Sequence, residues 1–364
     1  MADERNVNWL TRAGRRRAGL VAGLALALLG CSSSGSLPGA GASSQEVAMT
    51  AWIAGMSERR PDLNISYDAV GSGAGREIFL TGGSYFAGSD TPMDATELRQ
   101  GRERCFGGEV LELPLFISPI AVAYNLPGLG ADHLRLSPQT LARVFTGEIE
   151  RWNDPEIAEQ NPDANLPDRE IVPVNRSDES GTTENFTEYL HEAAGEAWPH
   201  EPSESWPFSG TQSGAQSSGV AQVLQTGEGT IGYVDAAQVS EDLGTVAVGV
   251  GEEYVPYSAE AAARVVDVSE PAEDASDLRL TLDLARDTDE AGVYPIVLVS
   301  YTLACSRYES RQDADNVRAL LTYMSSAEGQ QRVARPDVAG AAPISETMRE
   351  RVRTAVDRIQ AVQD

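Results

Sequence analysis

The feature that most constrains the fold of this chain is the order in which strand-like and helix-like segments follow one another. Residues 65–67 alternate as a strand does, and a Gly-rich turn then leads into a helical pattern that begins at Arg76. The same order recurs at residues 171–174, a short strand, and at residues 184–194, a helix. Strands that alternate with helices indicate an α/β protein with largely parallel sheets. The length of 364 residues makes about two domains the expected number.

The remaining segments extend this pattern. The long apolar run of residues 110–126 predicts buried strands that pass between domains, and residues 294–304 predict a further strand. Residues 313–324 and 345–362 predict helices. Residues 267–289 are acidic and poorly periodic, which predicts an exposed excursion.

The charge of the chain excludes several classes of partner. Asp and Glu number 55 against 28 basic residues, all of them Arg, which gives a net charge of −27. An acidic surface of this size argues against nucleic-acid binding and against a polybasic contact with a membrane. It favours a soluble protein with a strongly solvated surface.

The N-terminus has the pattern of a lipoprotein signal. A positive region is followed by an apolar run over residues 18–29, which is too short to span a bilayer. The residues that lead into Cys31 resemble the bacterial lipobox, with cleavage before Cys31 and acylation of its thiol; an ordinary signal peptide with an incidental Cys is the alternative. We expect a signal peptide over residues 1–30 and a lipidated Cys with a polar tether over residues 31–38. Residues 1–30 carry a net charge of +3, so their removal takes −27 to −30.

The numbers and positions of the cysteines and histidines limit which disulfides and metal sites the chain can form. After Cys31 is acylated, Cys105 and Cys305 remain, and export favours a disulfide between them. Two buried free thiols are the alternative. The three histidines lack metal-ligand spacing with Cys or with one another, so no metal site is expected.

Three segments share a design that suits an anion. Residues 39–44, 71–75 and 180–183 each place small residues with hydroxyl groups directly before a helical pattern. Backbone N–H groups at a helix start lack intrahelical partners, and the helix dipole favours negative charge there. One such segment alone indicates only a capped helix. Three in one α/β chain predict an anion site, because such folds bind ligands at the ends of strands.

Arg176 adds a fixed cation directly before the third segment. Its planar fork of donors suits a tetrahedral oxyanion, and Asp178 is placed to hold that fork. The alternative is a surface ion pair.

The known motifs of nucleotide-binding proteins and serine hydrolases each lack a required residue in this chain. A dinucleotide fingerprint from Gly71 would need Gly where Arg76 stands, and a nucleotide-hydrolase phosphate loop needs a Lys. The nearest candidate for a nucleophile elbow, residues 82–86, ends in Phe86 where the elbow needs Gly.

Taken with these segments, the chain from Gly39 to about Val362 is similar to the periplasmic-type phosphate-binding lipoproteins of high-affinity phosphate ABC transporters. The resemblance implies a two-lobed periplasmic-binding-protein fold, with crossover hinge strands and a ligand cleft between the lobes. Residues 39–119 and 292–364 would form lobe 1, and residues 120–291 lobe 2. Further matching segments are residues 88–93, 121–128, 136–138, 147–155, 206–207 and 231–234.

The resemblance also implies the residues that hold phosphate. They are hydroxyl, backbone and charged groups of the three Gly/Ser-rich segments and of a Gly-Ser-Asp motif: Ser43, Ser44, Ser72, Asp90, Arg176, Ser180, Gly181 and Thr182. Asp178 would pair with Arg176. Two residues depart from the family pattern, since Ser44 stands where an aromatic residue is usual and Asn175 replaces a basic one.

Asp90 gives a physical reason for selectivity. A buried carboxylate repels an oxyanion unless that anion has a proton to donate. Phosphate carries such a proton near neutral pH, and sulfate does not. Beside sulfate, Asp90 would be an unpaired acceptor that faces a like charge, which would cost several kcal/mol of binding free energy.

The function implied is capture of inorganic phosphate outside the cell membrane and its delivery to the permease subunits of an ABC transporter. We expect a monomer without cofactor or enzymatic activity, held by its lipid on the outer face of the cytoplasmic membrane. Two alternatives stay open. One is a phosphate-site hydrolase with Ser72 or Ser180 as nucleophile, for which no His or metal partner is evident; the other is a surface sensor or adhesin on the same fold.

Overall fold

A single strand, β4 (Val110–Tyr124), runs through the centre of the molecule, and all of its residues are buried. Burial on both faces explains why this segment is continuously apolar and does not alternate. Up to Pro119 it pairs with the antiparallel strand β13 (Val297–Cys305), and from Ile120 it pairs with β8 (Thr230–Asp235). The predicted lobe boundary between residues 119 and 120 falls at this change of partner.

The computed structural model describes residues 35–129, 133–209 and 211–362. The predicted signal peptide and Cys31 lie outside these residues. The other strands are β1 Gly35–Gly41, β2 Leu63–Asp68, β3 Phe86–Ser89, β5 His133–Leu136, β6 Val172–Arg176, β7 Gln212–Gly214, β9 Gly244–Val250, β10 Glu253–Pro256, β11 Glu270–Pro271, β12 Leu282–Asp283, β14 Arg307–Tyr308 and β15 Gln360–Ala361. Because β1 begins at Gly35, the last four residues of the predicted tether belong to the sheet.

Helices cover the strands, and most begin at a side-chain cap such as Ser137, Ser180 or Ser310. None of the helices in the described part of the chain is long and apolar enough to cross a membrane. Their bounds are α1 Glu46–Arg59, α2 Ser72–Leu80, α3 Ala95–Arg104, α4 Pro138–Thr146, α5 Pro155–Gln160, α6 Gly181–Ala194, α7 Gln216–Thr226, α8 Ala259–Val268, α9 Arg311–Ser325, α10 Ala327–Ala334 and α11 Glu346–Val356.

The main sheet joins two halves through β4, in the order β2-β1-β3-β13-β4-β8-β6-β7. We call the half built on β1, β2, β3, β13 and the first part of β4 the first lobe. The half built on β5 to β10 and the second part of β4 is the second lobe. Strands β1, β2 and β3 are parallel to one another, as are β6, β7 and β8, so each lobe gathers the carboxyl ends of its parallel strands at one edge. The predicted α/β class is confirmed, but the main sheet is mixed and not largely parallel, because β4 is antiparallel to β13, β8 and β9.

Large aromatic side chains anchor the core of each lobe. Trp52 of α1 is fully buried and donates its indole N–H to the carbonyl of Gly329 at 2.9 Å. Trp152, in the second lobe, is equally buried and donates to the carbonyl of Gly229 at 3.0 Å. Burial of a large apolar side chain contributes about 1.5–3 kcal/mol, and these hydrogen bonds remove the penalty for the buried indole N–H.

The predicted disulfide is present. Cys105, at the end of α3, and Cys305, at the end of β13, are bonded across 200 residues of sequence, with their Cα atoms 5.1 Å apart. Both are fully buried. The bridge therefore joins distant segments of the first lobe, and the alternative of two free thiols is wrong.

The prediction of an exposed excursion over residues 267–289 is wrong in its second half. Arg279 forms an ion pair with the buried Glu112 of β4. Arg286 is fully buried and donates to the backbone carbonyls of Pro295 at 3.1 Å and Val297 at 2.5 Å. Two arginines thus fasten an otherwise acidic segment to the central strands, which an absence of periodicity could not show.

The helix predicted over residues 345–362 is shorter than expected. It is α11, which ends at Val356. The chain then forms β15, which pairs in parallel with β14 at Arg307 and Tyr308. This pairing partner lies about 50 residues earlier in sequence, so local helical periodicity could not reveal it.

Candidate functional site

The three predicted Gly/Ser-rich segments meet where the first lobe faces the second. From the first lobe, Ser43 and Ser44 form a short 3-10 turn between β1 and α1, Ser72 begins α2, and Asp90 follows β3. From the second lobe, Arg176 ends β6, and residues 180–182 form the start of α6. Each segment follows the carboxyl end of a parallel strand, which is where α/β folds place ligand-binding loops.

Two glycines permit the close approach of the two lobes. A Cβ atom on Gly181 would lie 2.6 Å from the Cβ of Asp90 and 2.8 Å from the Oγ of Ser72. Gly71 has a φ of +100°, and a Cβ there would lie 2.9 Å from a carboxylate oxygen of Asp178. A side chain at either position would hold the lobes apart, so glycine is a steric requirement of this arrangement.

Asp90 is the centre of the site. The residue is 4% exposed. Ser44 Oγ donates to the carboxylate, 2.7 and 2.8 Å from its two oxygens, and Ser300 Oγ donates at 2.5 Å. Thr182 Oγ1 donates from the second lobe at 3.2 Å. Burial raises the pKa of Asp90, and the hydroxyl donors with the charge of Arg176 oppose that rise.

The serine of the first turn contacts a fourth helix start. Ser43 Oγ lies 3.1 Å from Ser217 Oγ and accepts from the Ser217 backbone N–H at 3.1 Å. Ser217 is buried in the first turn of α7. Gln216, before it, has a φ of +61°, a conformation that costs a non-glycine residue about 1–3 kcal/mol. This residue stands at the start of α7, whose N-terminus contacts Ser43 of the site.

Arg176 and Asp178 form the predicted pair. Arg176 is 3% exposed and donates from Nε to Asp178 Oδ1 at 2.9 Å and from Nη2 to Asp178 Oδ2 at 2.6 Å. The backbone N–H of Gln216 also donates to Asp178 Oδ1, at 2.9 Å. Burial would raise the pKa of Asp178, but Arg176 and this N–H outweigh it and hold that pKa below its usual range. In the described part of the chain no group accepts from Arg176 Nη1.

Aromatic packing fixes the second-lobe half of the site. The hydroxyl of Tyr233 accepts from the Arg176 backbone N–H at 3.2 Å and lies 2.8 Å from Thr183 Oγ1. Its ring stacks on Phe186 of α6 with centroids 4.5 Å apart. The start of α6 and the end of β6 are therefore held against one rigid side chain.

Direct contacts link the two lobes beside the site. Arg76 of α2 donates to both carboxylate oxygens of Glu204, at 2.8 and 2.9 Å, and to Glu97 of its own lobe at 2.8 Å. Asn185 of α6 donates to the backbone carbonyl of Asp90 at 2.8 Å. The structure is a closed arrangement, in which the two lobes touch through this ion pair and through hydrogen bonds.

Several residues of the site, among them Ser217 and Ser300, lie outside the predicted ligand set. Residues 213–218 are rich in Gly and Ser and run into the first turn of α7, the same design as the three predicted segments, so Ser217 could have been found. Ser300 lies within a buried strand, and no local pattern marks it. Ser44, the departure from the family pattern, offers a hydroxyl to Asp90 in place of an aromatic wall, and Asn175 donates to the Arg176 carbonyl at 2.7 Å.

The site is suited to one small oxyanion that carries a proton. Helix starts from both lobes present N–H groups and hydroxyls, and Arg176 supplies the positive charge. Asp90 can only accept while it is ionised. No cluster of three or more His, Cys, Asp or Glu suited to a metal ion occurs among residues 35–129, 133–209 and 211–362.

A half-buried glutamate beside the lobe contact predicts a pH-dependent stability. Burial and the charge of Glu204 raise the pKa of Glu184 from 4.5 to about 7. As pH rises, Glu184 loses its proton in the unfolded chain at a lower pH than in the folded one. The free energy of unfolding therefore falls as pH rises from 4.5 towards 7. Glu184→Gln should therefore be more stable than the parent by about 1–2 kcal/mol at about pH 8 and equal to it below pH 4.5.

Urea unfolding at the two pH values measures this difference. Glu241→Gln, at an exposed position, is the control and should change stability at neither pH. Equal stability of Glu184→Gln and the parent at the higher pH would show that Glu184 ionises without penalty.

The chain is similar to known proteins over most of its length. A family model described as the PBP superfamily domain matches residues 31–328. The phosphate-binding protein PstS 2 of Mycobacterium tuberculosis is 31% identical over 336 residues, which cover 90% of this chain and 88% of that protein. Phosphate-binding protein PstS 3 of the same species is 32% identical over 344 residues, covering 94% and 91%.

Among solved structures, the phosphate binding protein from Stenotrophomonas maltophilia superposes with a TM-score of 0.67. The superposition covers 90% of this chain and 96% of that one, at 19% identity. A likeness at this identity establishes the two-lobed fold.

Proposed function

Because this chain belongs to the PBP superfamily and, within it, to the PstS phosphate-binding proteins, we propose that it captures inorganic phosphate and delivers it to the permease of an ABC transporter. One observation carries the proposal for the site itself. A buried carboxylate, Asp90, stands among helix starts and a buried arginine that all favour an anion. Only an anion with a proton to donate satisfies both kinds of group.

The ligand set we propose is the one predicted from sequence. Asp90 and Arg176 would contact the anion directly, and Asp178 would hold the arginine in place. Hydroxyl and backbone N–H groups from both lobes complete the set: Ser43, Ser44, Ser72, Ser180, Gly181 and Thr182. Contacts from both lobes stabilise the closed state, which is the form that a permease would recognise. The direct Arg76–Glu204 and Asn185–Asp90 contacts support closure as the bound arrangement.

We propose binding without catalysis. A hydrolase would need a base beside Ser72 or Ser180. The three histidines lie elsewhere: His133 contacts Thr245, and His191 contacts the carbonyl of His200. The surface sensor or adhesin has no observation in its favour. We also propose export and lipid anchoring through Cys31, on the strength of the N-terminal sequence pattern; mass spectrometry of the mature N-terminus tests it.

Thermal unfolding tests the proposed ligand. A ligand that binds only the folded state stabilises it by about 2.7 kcal/mol at 100 times its dissociation constant. We expect saturating phosphate to raise the unfolding temperature of the ligand-stripped protein by about 5 °C or more. Sulfate at equal concentration should leave the unfolding temperature unchanged. No shift with phosphate would contradict the proposal.

Asp90→Asn should relax the discrimination against sulfate. The amide keeps the size of the side chain, removes its charge and adds an N–H donor. We expect the affinity for sulfate to rise at least about tenfold, or about 1.4 kcal/mol, measured by calorimetric titration. Asp68→Asn, an exposed carboxylate of the same lobe, is the control and should leave selectivity unchanged. Unaltered rejection of sulfate by Asp90→Asn would remove Asp90 from the selectivity mechanism.

A further inference from the structure

Among the described residues, the carboxylate of Asp90 receives one hydrogen bond from outside the proposed ligand set. Its other hydroxyl donors, Ser44 and Thr182, sit at helix starts that face the anion site. Ser300 lies instead in β13, 210 residues along the chain, and donates to Asp90 Oδ1 at 2.5 Å. Ser300 is fully buried in the strand behind the site, where it can hold Asp90 without using a group that the anion needs.

The direction of the Ser300 hydroxyl is set by Gln45. Gln45 Nε2 lies 2.6 Å from Ser300 Oγ and 3.4 Å from the carbonyl oxygen of Tyr301. A carbonyl only accepts, so the amide nitrogen must face both groups and donate to them. Ser300 Oγ accepts from Gln45, and because the ionised carboxylate of Asp90 can only accept, the Ser300 proton points to Asp90.

Gln45 is itself an unusual residue to find here. It is fully buried, and its Oε1 accepts no hydrogen bond from any described residue. A buried unsatisfied acceptor costs about 1–3 kcal/mol. Burial of a polar side chain at this cost is consistent with a role in orienting Ser300.

We propose that Ser300, oriented by Gln45, is a specificity-determining residue that keeps Asp90 an obligatory acceptor towards the bound anion. The inference rests on the proposed function, since it concerns how Asp90 separates phosphate from sulfate. A fixed donor stabilises the ionised carboxylate. Without it, a larger fraction of Asp90 would be neutral and could donate its own proton to an anion that has none, such as sulfate.

Other groups around Asp90 also shift its pKa, in both directions. Burial raises its pKa, and the charge of Arg176 lowers it. Burial also raises the pKa of Asp235 on β8 to about 7, with a smaller contribution from the charge of Asp90, and it raises that of Tyr67 on β2. A variant at position 300 leaves these three groups in place, so their titration is common to variant and parent.

The test is the pH dependence of sulfate binding by Ser300→Ala, followed by calorimetry from about pH 5 to about pH 8. We expect the variant to bind sulfate at least about tenfold more tightly than the parent at the acidic end, with the difference lost at the alkaline end. Gln45→Leu, which removes the orienting donor, should act in the same direction and more weakly. Thr302→Val is the matched control, because Thr302 is buried in the same strand and its hydroxyl bonds to no described residue.

Three results would overturn the inference. The first is rejection of sulfate by Ser300→Ala at every pH. The second is an equal gain in sulfate affinity in Thr302→Val, and the third is a gain in sulfate affinity in Ser300→Ala that does not depend on pH. Phosphate titration of the parent, run in parallel, separates the two hypotheses: a parent that binds no phosphate contradicts the proposed function. If Ser300→Ala binds neither anion, carbon NMR of the Asp90 carboxyl decides, with a pKa above that of the parent supporting the inference and an equal pKa refuting it.

Discussion

Replacing Arg176 with alanine should weaken phosphate binding by at least about 100-fold, which corresponds to about 2.7 kcal/mol. Arg176 is the buried cation of the site, and its Nη1 is the donor that no described residue uses. Its loss also leaves Asp178 without its positively charged partner and removes a charge that lowers the pKa of Asp90. Truncating one member of a buried charge pair costs about 2–5 kcal/mol, part of it from the charge left behind. Calorimetric titration with phosphate measures the change.

Two further variants separate these contributions. Arg176→Ala combined with Asp178→Asn should bind more tightly than Arg176→Ala alone, because the stranded carboxylate is neutralised. Arg135→Ala removes an exposed arginine of the same lobe and should leave the affinity unchanged. Affinity of Arg176→Ala within a few-fold of the parent would exclude Arg176 from the ligand set.

Removing the Cys105–Cys305 bridge should lower the free energy of unfolding by about 2–5 kcal/mol. The bridge closes a loop of 200 residues, and a cross-link over a long loop restricts the unfolded chain strongly. It ties the end of α3 to the end of β13, the strand that also carries Ser300. Urea unfolding of the double variant Cys105→Ala, Cys305→Ala against the oxidised parent measures the difference.

A reducing agent provides the control for the disulfide. It should destabilise the parent to a similar degree and leave the double variant unaffected. The affinity of the folded variant for phosphate should stay close to that of the parent, because neither Cys belongs to the proposed ligand set. A double variant as stable as the oxidised parent would show that packing alone holds these segments together.

The parts of the site that local sequence patterns predicted are those built from helix starts. Ser72 and the residues 180–182 lie where small hydroxyl residues follow a strand and open a helix, and backbone geometry alone dictates that arrangement. Arg176 and Asp178 are two residues apart, so their pairing was also a local expectation. The ligand role of Asp90, in contrast, came from the resemblance to a family.

The contacts that sequence patterns could not predict are made between distant elements. Ser300 meets Asp90 only because β13 pairs with β3, an antiparallel contact across more than 200 residues, and Gln45 in turn contacts Ser300. The Arg76–Glu204 pair depends on how the two lobes face each other. The end of α11 at Val356 depends on the pairing of β14 with β15. Each is a tertiary constraint that overrides or supplements local propensity.

We expect the cleft to accept an oxyanion that carries a proton and to reject one without a proton. Calorimetric titration of ligand-stripped protein, first with phosphate and then with sulfate at neutral pH, tests it most directly. We predict binding of one phosphate per chain and no heat of binding from sulfate. Equal binding of both anions, or no binding of phosphate, would contradict the account.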